Sequence, residues 1–247
     1  MKKVILIAVT TLFSVGVVFA GPLEDRIIAL EAKVAALEAN QAVQIGQLGY
    51  MRLDTNELNG VIGPHVIFEG VNLHLQNGAD SSWAVNGLGN FIVGYNEIPE
   101  GIHYGDLLPG DRSGSHNYVA GWRNRFTQNA YCGVVVGEGN SIGGEKAIAI
   151  GGDGNQAMAS QASVVGGFRN TAMGDNSVIA GGVWNQTIGN HSVVSGGEQN
   201  RGVGDGSTIT GGNYNEALGP LSSVSGGFQR TATGEHDWTA GSLWEDQ

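Results

Sequence analysis

The chain has 247 residues, of which 42 are Gly and only 14% are charged, and its formal net charge is -11. Glycine at that density without a Gly-x-y period excludes collagen and points to tightly turning β structure, while a hydrophobic share of 41% argues against disorder. The acidic balance makes nucleic acid and anionic membranes poor partners.

Residues 1–20 carry the three parts of a secretory signal: Lys2 and Lys3, an apolar run over 4–19, and a small-residue site ending at Ala20. The run is shorter than the roughly 20 apolar residues of a membrane span, so cleavage before Gly21 is expected rather than anchoring. No later segment is apolar enough to span as a helix, which leaves the mature chain without a transmembrane span and places it outside the cell, secreted or at the surface. Loss of Lys2 and Lys3 takes the formal charge from -11 to -13.

The segment 21–52 is helical in pattern. Leu23, Ile27, Leu30, Val34 and Leu37 alternate spacings of four and three, the a and d positions of a heptad, and the register continues through Gln41, Gln44, Leu48 and Met51. An isolated helix of this length is marginal in water, so the stripe implies partner helices. Arg26, Ile27, Leu30 and Glu31 resemble the RhxxhE pattern of short trimeric coiled coils, which makes these five apolar residues the expected trimerisation contacts; the competing reading is a surface helix packed on its own domain.

Residues 53–131 read as a connecting β region. Ile67, Phe68, Val71, Leu73 and Leu75 alternate like one strand, and two irregular coils, at 89–96 and 116–122, each carry an alternating strand ending in Gly. Between them a protruding loop at 97–113 holds Pro99, Pro109 and several Gly. Cys132, the only cysteine, excludes an intrachain disulfide framework; beside Gly133, Val134, Val135 and Val136 it reads as a buried, inert thiol, with an intersubunit disulfide as the alternative.

From 132 to 247 the chain is internally periodic. In a 15-residue frame it reads CGVVVGEGNSIGGEK from Cys132, then AIAIGGDGNQAMASQ, ASVVGGFRNTAMGDN, SVIAGGVWNQTIGNH, SVVSGGEQNRGVGDG, STITGGNYNEALGPL, SSVSGGFQRTATGEH and an incomplete last coil. Ala149, Val164, Ile179, Val194, Ile209 and Val224 form a consistently apolar column, expected to face inward. A Gly pair follows, marking a corner, and then Asn155, Asn170, Asn185, Asn200 and Asn215, which tolerate αL and can bond an identical Asn one coil away. A second apolar column, Met158, Met173, Ile188, Val203 and Leu218, precedes a second Gly corner at Gly174, Gly189, Gly204, Gly219 and Gly234. The fold class that follows is mainly β: a parallel β-roll or β-solenoid of flattened 15-residue coils behind a short coiled-coil helix. A coil this thin buries few apolar side chains against the ordering of its residues, so a homotrimer that covers a further face of every coil is expected.

The SVVSGG, STITGG and SSVSGG strands followed by AxG resemble the head repeats of YadA-like trimeric autotransporter adhesins. The resemblance covers 132–246 well and 86–131 loosely, and implies a trimeric left-handed parallel β-roll. Departures are a slightly longer repeat carrying GGxxN in place of SxAIG, a coiled coil ahead of the head rather than behind it, and no C-terminal barrel anchor, so autotransport and outer-membrane anchoring are not carried over.

No cofactor and no metal site is expected, and no catalytic residues. The histidines at 65, 74, 103, 116, 191 and 236 lack ligand spacing, Asp153, Asp175 and Asp205 read as turn caps, and nucleotide-binding or hydrolase motifs in a strand-to-helix context are missing. The variable pair after each Gly corner holds Phe168, Trp184, Tyr214, Phe228 and Trp244, with Trp122 in an earlier coil. Rings there either form an exposed stripe that stacks on sugars or grips a partner surface, or pack between subunits. The expected function is a non-enzymatic, exported structural or adhesive protein of a surface or extracellular matrix, with itself, a glycan or a host or matrix surface as partner. The alternative is a lectin-like or ice-binding solenoid, the latter suggested by Ser192, Ser207, Ser222, Thr208 and Thr210. A β-helical polysaccharide enzyme needs longer coils and a carboxylate cluster in a cleft.

Overall fold

A computed structural model describes residues 22–47, 49–97 and 111–241, with helix side chains described over 24–41. The expected signal segment, residues 242–247 with Trp244, most of the expected loop at 97–113, and Leu48 lie outside the described residues, as does the side chain of Leu23. The chain divides into two units, Met1–Leu73 and His74–Gln247.

In the first unit, helix α1 spans Pro22–Gln47. Pro22 suits a first helical position, where no N–H is needed, and Glu24 and Asp25 lie in the first turn beside the positive end of the helix dipole. Among the described residues nothing covers the apolar stripe: Ile27, Leu30, Val34 and Leu37 remain 38 to 67% exposed. No helix among the described residues is long and apolar enough to cross a membrane.

The heptad register stops short of Met51, because Met51 opens strand β1 (Met51–Asp54), which pairs antiparallel with β2 (His65–Phe68). Between the two strands Leu58 and Val61 exchange backbone hydrogen bonds of 3.0 Å around Asn59 and Gly60, which have φ of 52° and 82°. Two consecutive positive φ values make the tight Asn-Gly hairpin turn, a signal that the heptad reading obscured. The expected single strand is confined to β2, and Val71, Leu73 and Leu75 lie in irregular chain.

The second unit is a parallel β-solenoid of about eight coils of roughly 15 residues. Its strands form a ten-stranded and an eight-stranded parallel sheet, to which each coil contributes one strand apiece except the first and last, which contribute only to the larger. Through the regular part the register advances 15 residues at every step, as in Val178 opposite Val193 and Gln186 opposite Arg201. The stack begins ahead of the repeat, since β3 (Phe91–Val93) and β4 (Tyr118–Trp122), the strands of the two irregular coils, pair in the same sheet.

The frame drawn from Cys132 needs one correction. Val134 stands opposite Ile148 and Val135 opposite Ala149, whereas Glu138 stands opposite Asp153, so the offset changes from 14 to 15 through an irregularity between Val136 and Glu138. The later coil carries one extra residue there, at Gly151 and Gly152, whose φ values of 76° and 67° accommodate the bulge. Val135, rather than Val134, consequently faces the core. Cys132 is also exposed rather than buried: its φ of 56° turns the side chain outward at a corner.

The core is one residue thick on each wall. Ala149, Val164, Ile179, Val194, Ile209 and Val224 are buried as expected, and Val119 and Val135 extend their column into the earlier coils. On the opposite wall the inward residues are Phe126, Ile142, Ala157, Ala172, Thr187, Gly202, Ala217 and Ala232. The column of Met158, Met173, Ile188, Val203 and Leu218 therefore sits one residue too late and points outward, with Met173 40% exposed. Successive strand residues face opposite sides, so a one-residue slip exchanges the faces, and a flattened coil filled by Ile or Val from one wall leaves room only for small residues from the other.

Gly202 is the smallest member of that wall. A Cβ added there meets side-chain atoms alone, Ser207 Oγ at 3.3 Å and Ser192 Cβ and Oγ at 3.5 and 3.7 Å, and its φ is not left-handed. Gly202→Ala is expected to stabilise the solenoid by about 0.5 to 1 kcal/mol, because alanine narrows the unfolded ensemble and matches its neighbours in the column. A chemical denaturation midpoint below that of the wild type contradicts this.

Candidate functional site

The corner after each Gly pair is built by backbone constraints. In Gly181-Gly182-Val183-Trp184-Asn185, a Cβ on Gly182 would lie 2.3 Å from Gly197 O and 2.4 Å from Asn185 Nδ2, so the second glycine is fixed by the next coil's backbone. The residue before each Asn then takes positive φ: Arg169 at 53°, Trp184 at 57°, Gln199 at 54° and Tyr214 at 59°. The left-handed position is thus this variable residue, and not the Asn, as the composition suggested.

The Asn turns inward instead. Asn140, Asn155, Asn170, Asn185, Asn200 and Asn215 are buried, and each Oδ1 accepts the backbone N–H of the residue one coil later, as Asn185 Oδ1 does from Asn200 at 2.9 Å. Each Nδ2 donates to two carbonyls, for Asn185 those of Gly181 at 3.0 Å and Gly197 at 2.9 Å. With the Asn drawn in, the two residues before it are held outward.

Those two outward positions carry the expected stripe. Trp122, Glu138, Asp153, Phe168, Val183, Glu198, Asn213 and Phe228 form one column linked coil to coil by parallel bridges. Arg123, Arg169, Trp184, Gln199, Tyr214 and Gln229 form the next. The expected stripe residues Trp122, Phe168, Trp184, Tyr214 and Phe228 all lie at this corner, 36 to 60% exposed, yet they do not form a continuous stripe. Phe168 and Trp184 meet edge to face at 6.0 Å, Tyr214 and Phe228 at 5.8 Å, and the coil of Glu198 and Gln199 separates the two pairs.

Arg169 was not singled out by sequence. Its guanidinium carbon sits 4.9 Å from the ring centres of both Phe168 and Trp184, and Arg123 stands 4.3 Å over Trp122 in the same way. The signal that finds it is an Arg in the repeat position that holds Trp184 in the next coil and Tyr214 further on.

The opposite corner holds a second, oppositely directed ladder, in which Asp175 Oδ1 accepts from Ser160 N–H, Asn190 Oδ1 from Asp175 N–H and Asp205 Oδ1 from Asn190 N–H. This agrees with Asp175 and Asp205 as turn caps. At its start Tyr131 donates its hydroxyl to the Glu145 carboxylate, Ser160 Oγ donates to the same group at 3.1 Å, and Trp83 packs edge-on to Tyr131 at 5.7 Å. Those hydrogen bonds hold Glu145 below the usual carboxylate range, and the bond to Glu145 is the main cause that pushes Tyr131 up to about 12.

A depressed carboxyl adds stability above its unfolded pKa that is lost as pH falls through the folded value, while a raised phenol adds stability below its ordinary value that fades as pH rises toward 12. Tyr131→Phe is expected to remove the phenol contribution and the largest part of the carboxyl one, the Ser160 hydrogen bond remaining. The fall in melting temperature between about pH 6 and about pH 3 should be smaller in the variant than in the wild type, and equal slopes would count against the linkage.

No family model matches the chain, and no curated protein matches it.

Proposed function

We propose that the chain is an exported, non-catalytic structural or adhesive protein of a cell surface or extracellular matrix, working as a homotrimeric β-roll head carried on a coiled-coil segment. The observation that carries this reading is the apolar stripe of α1, where Ile27, Leu30, Val34 and Leu37 stay exposed among the described residues. Exposure of four large apolar residues at heptad spacing destabilises a lone helix and favours assembly through it. The outward row of Met158, Met173, Ile188, Val203 and Leu218 and the exposed Ile150 and Val165 offer further apolar surface for neighbouring copies. Resemblance of the repeat to YadA-like heads supports the trimer, and the signal-like segment 1–20 supports export.

The test is sedimentation equilibrium of the chain from residue 21 onward. A trimer is expected, and Leu30→Asp is expected to weaken assembly at least about 100-fold, because a carboxylate must then be desolvated at a d position in every copy. A wild-type chain that sediments as a folded monomer refutes the reading.

A second reading, a carbohydrate-binding module, is favoured by the half-exposed rings of the Gly-pair corner, whose flat faces suit sugar rings. Alanine at Trp184 and Tyr214 is then expected to reduce glycan binding with the trimer intact; loss of the trimer instead assigns those rings to subunit packing. Of the residues that suggested ice binding, Ser192, Ser207 and Ser222 are fully buried inside the coils, which leaves Thr208 and Thr210 as its support.

A further inference from the structure

We infer that the Phe168–Arg169–Trp184 corner is a binding subsite for a glycan bearing an isolated carboxylate on otherwise neutral sugar rings. The inference rests on the carbohydrate-binding reading and names the chemistry of its ligand.

The first ground is the state of Arg169. Its guanidinium lies 4.9 Å from two ring centres set 86° apart, and no carboxylate lies within ion-pair distance of it among the described residues. A guanidinium held over ring faces keeps the N–H donors that point away from the rings, and its planar fork matches a carboxylate in two parallel hydrogen bonds. The rings also hold the long side chain still, so less entropy is lost when it binds. Beside it, Trp184 is 41% exposed and Phe168 36%, leaving apolar ring surface next to the charge.

The second ground is what flanks the cation. Asp153 occupies the equivalent position in the coil before Phe168, and Glu198 in the coil after Val183. Coils are spaced by about 4.8 Å, so one positive site is bracketed by carboxylates on both sides along the axis. A densely charged polyanion meets repulsion at each of its charges, on either side and from the formal charge of -11, whereas one carboxylate between neutral rings meets it once and is offset by the guanidinium.

The third ground separates a sugar from an acidic peptide. The backbone N–H groups at this corner are already given within the solenoid: Phe168 to Gly182 O at 2.9 Å, Arg169 to Asp153 O at 3.0 Å, Val183 to Gly197 O at 2.9 Å and Trp184 to Phe168 O at 3.0 Å. No strand edge is offered along this surface, so an extended peptide gains no main-chain pairing there. Recognition rests on ring faces and one charge, which a sugar acid supplies on a single ring.

The experiment is calorimetric titration of the chain from residue 21 onward with four probes: a glucuronate-terminated tetrasaccharide, its glucose-terminated counterpart, a polyuronate, and an aspartate-containing tetrapeptide. The acid-terminated sugar is expected to bind at least about 10-fold tighter than each of the others. Arg169→Gln is expected to bring it down to the level of the neutral sugar, and Trp184→Ala to weaken both sugars by about 3- to 10-fold. Equal binding of acid and neutral sugars, binding unchanged in Arg169→Gln, or an equal preference for the peptide or the polyuronate overturns the inference. Sedimentation of each variant separates the failures. A wild-type trimer that does not discriminate the sugars sinks this inference alone, and variants that lose the trimer place the corner inside the assembly and sink it too. A monomeric wild type sinks the trimer reading and leaves the sugar result to stand by itself.

Discussion

Replacing Gly212 with alanine is expected to unfold much of the solenoid, whereas the same change at its neighbour Gly211 is expected to leave stability unchanged or slightly raised. Both glycines belong to one pair, and sequence alone treats them alike. A Cβ on Gly212 would lie 2.2 Å from Gly227 O, 2.6 Å from Asn215 Nδ2 and 2.7 Å from Gly227 N, and Gly212 has φ of 80°. The first atom belongs to the backbone of the next coil, which cannot retreat without breaking the coil-to-coil bond between Asn213 N and Gly227 O at 2.9 Å. Left-handed strain costs about 1 to 2 kcal/mol and overpacking of a close-packed interior about 1 to 3 kcal/mol more. A Cβ on Gly211 meets nothing within 4 Å, and its φ is not left-handed. Thermal melts followed by circular dichroism on the two single variants check this, and a Gly212→Ala melt within a couple of degrees of wild type would refute the steric account.

The second large effect is expected at the buried Asn column. Asn185→Ala removes three hydrogen bonds: to Asn200 N–H at 2.9 Å, to Gly181 O at 3.0 Å and to Gly197 O at 2.9 Å. Gly197 O keeps the N–H of Val183, but Asn200 N–H is left facing an empty site. An unsatisfied buried polar group costs about 1 to 3 kcal/mol, so the loss is expected at about 2 to 5 kcal/mol once Gly181 O and the small cavity are added. Asn185→Asp separates the roles. It keeps the shape and the acceptor, but turns a carboxylate toward the two carbonyls, and is expected to be at least as damaging as alanine near neutral pH. If Asp is tolerated while Ala is not, the column acts by filling space and accepting the N–H, and the Nδ2 bonds contribute little. Every Asn hands one acceptor to the coil after it, so each defect also loosens the register of the next.

How far each feature was legible follows from how many times the chain repeats it. The column from Ala149 to Val224 recurs at one spacing with only Ala, Val and Ile in it, and the structure buries it. The opposite wall was misplaced by one residue. Its strands are two residues long, as in Gln186–Thr187, and so short a strand shows no alternation by which to tell inside from outside. Bulk then misled, since Met158 and Ile188 look like core and Ala157 and Thr187 do not. Arg169 escaped notice because its role comes from ring faces on two different coils, a juxtaposition that only the stacking of the coils produces. Cys132 looked buried among valines because neighbours in sequence were read as neighbours in burial, while its positive φ places it at a corner.

The amino-acid order by itself determined the period, the two glycine corners, one inward wall and the apolar stripe of the helix, because each rests on local residue type repeated at fixed spacing. The tertiary structure alone decided which residues line the second wall, which member of each pair must be glycine, where the bulge falls, and that Asn lies inside while the variable residue before it takes left-handed φ. Those outcomes depend on the distance between one coil and the next and between opposite walls of a coil one side chain thick. That distance is set by backbone hydrogen bonds between residues about one turn apart, and no single stretch of sequence contains it.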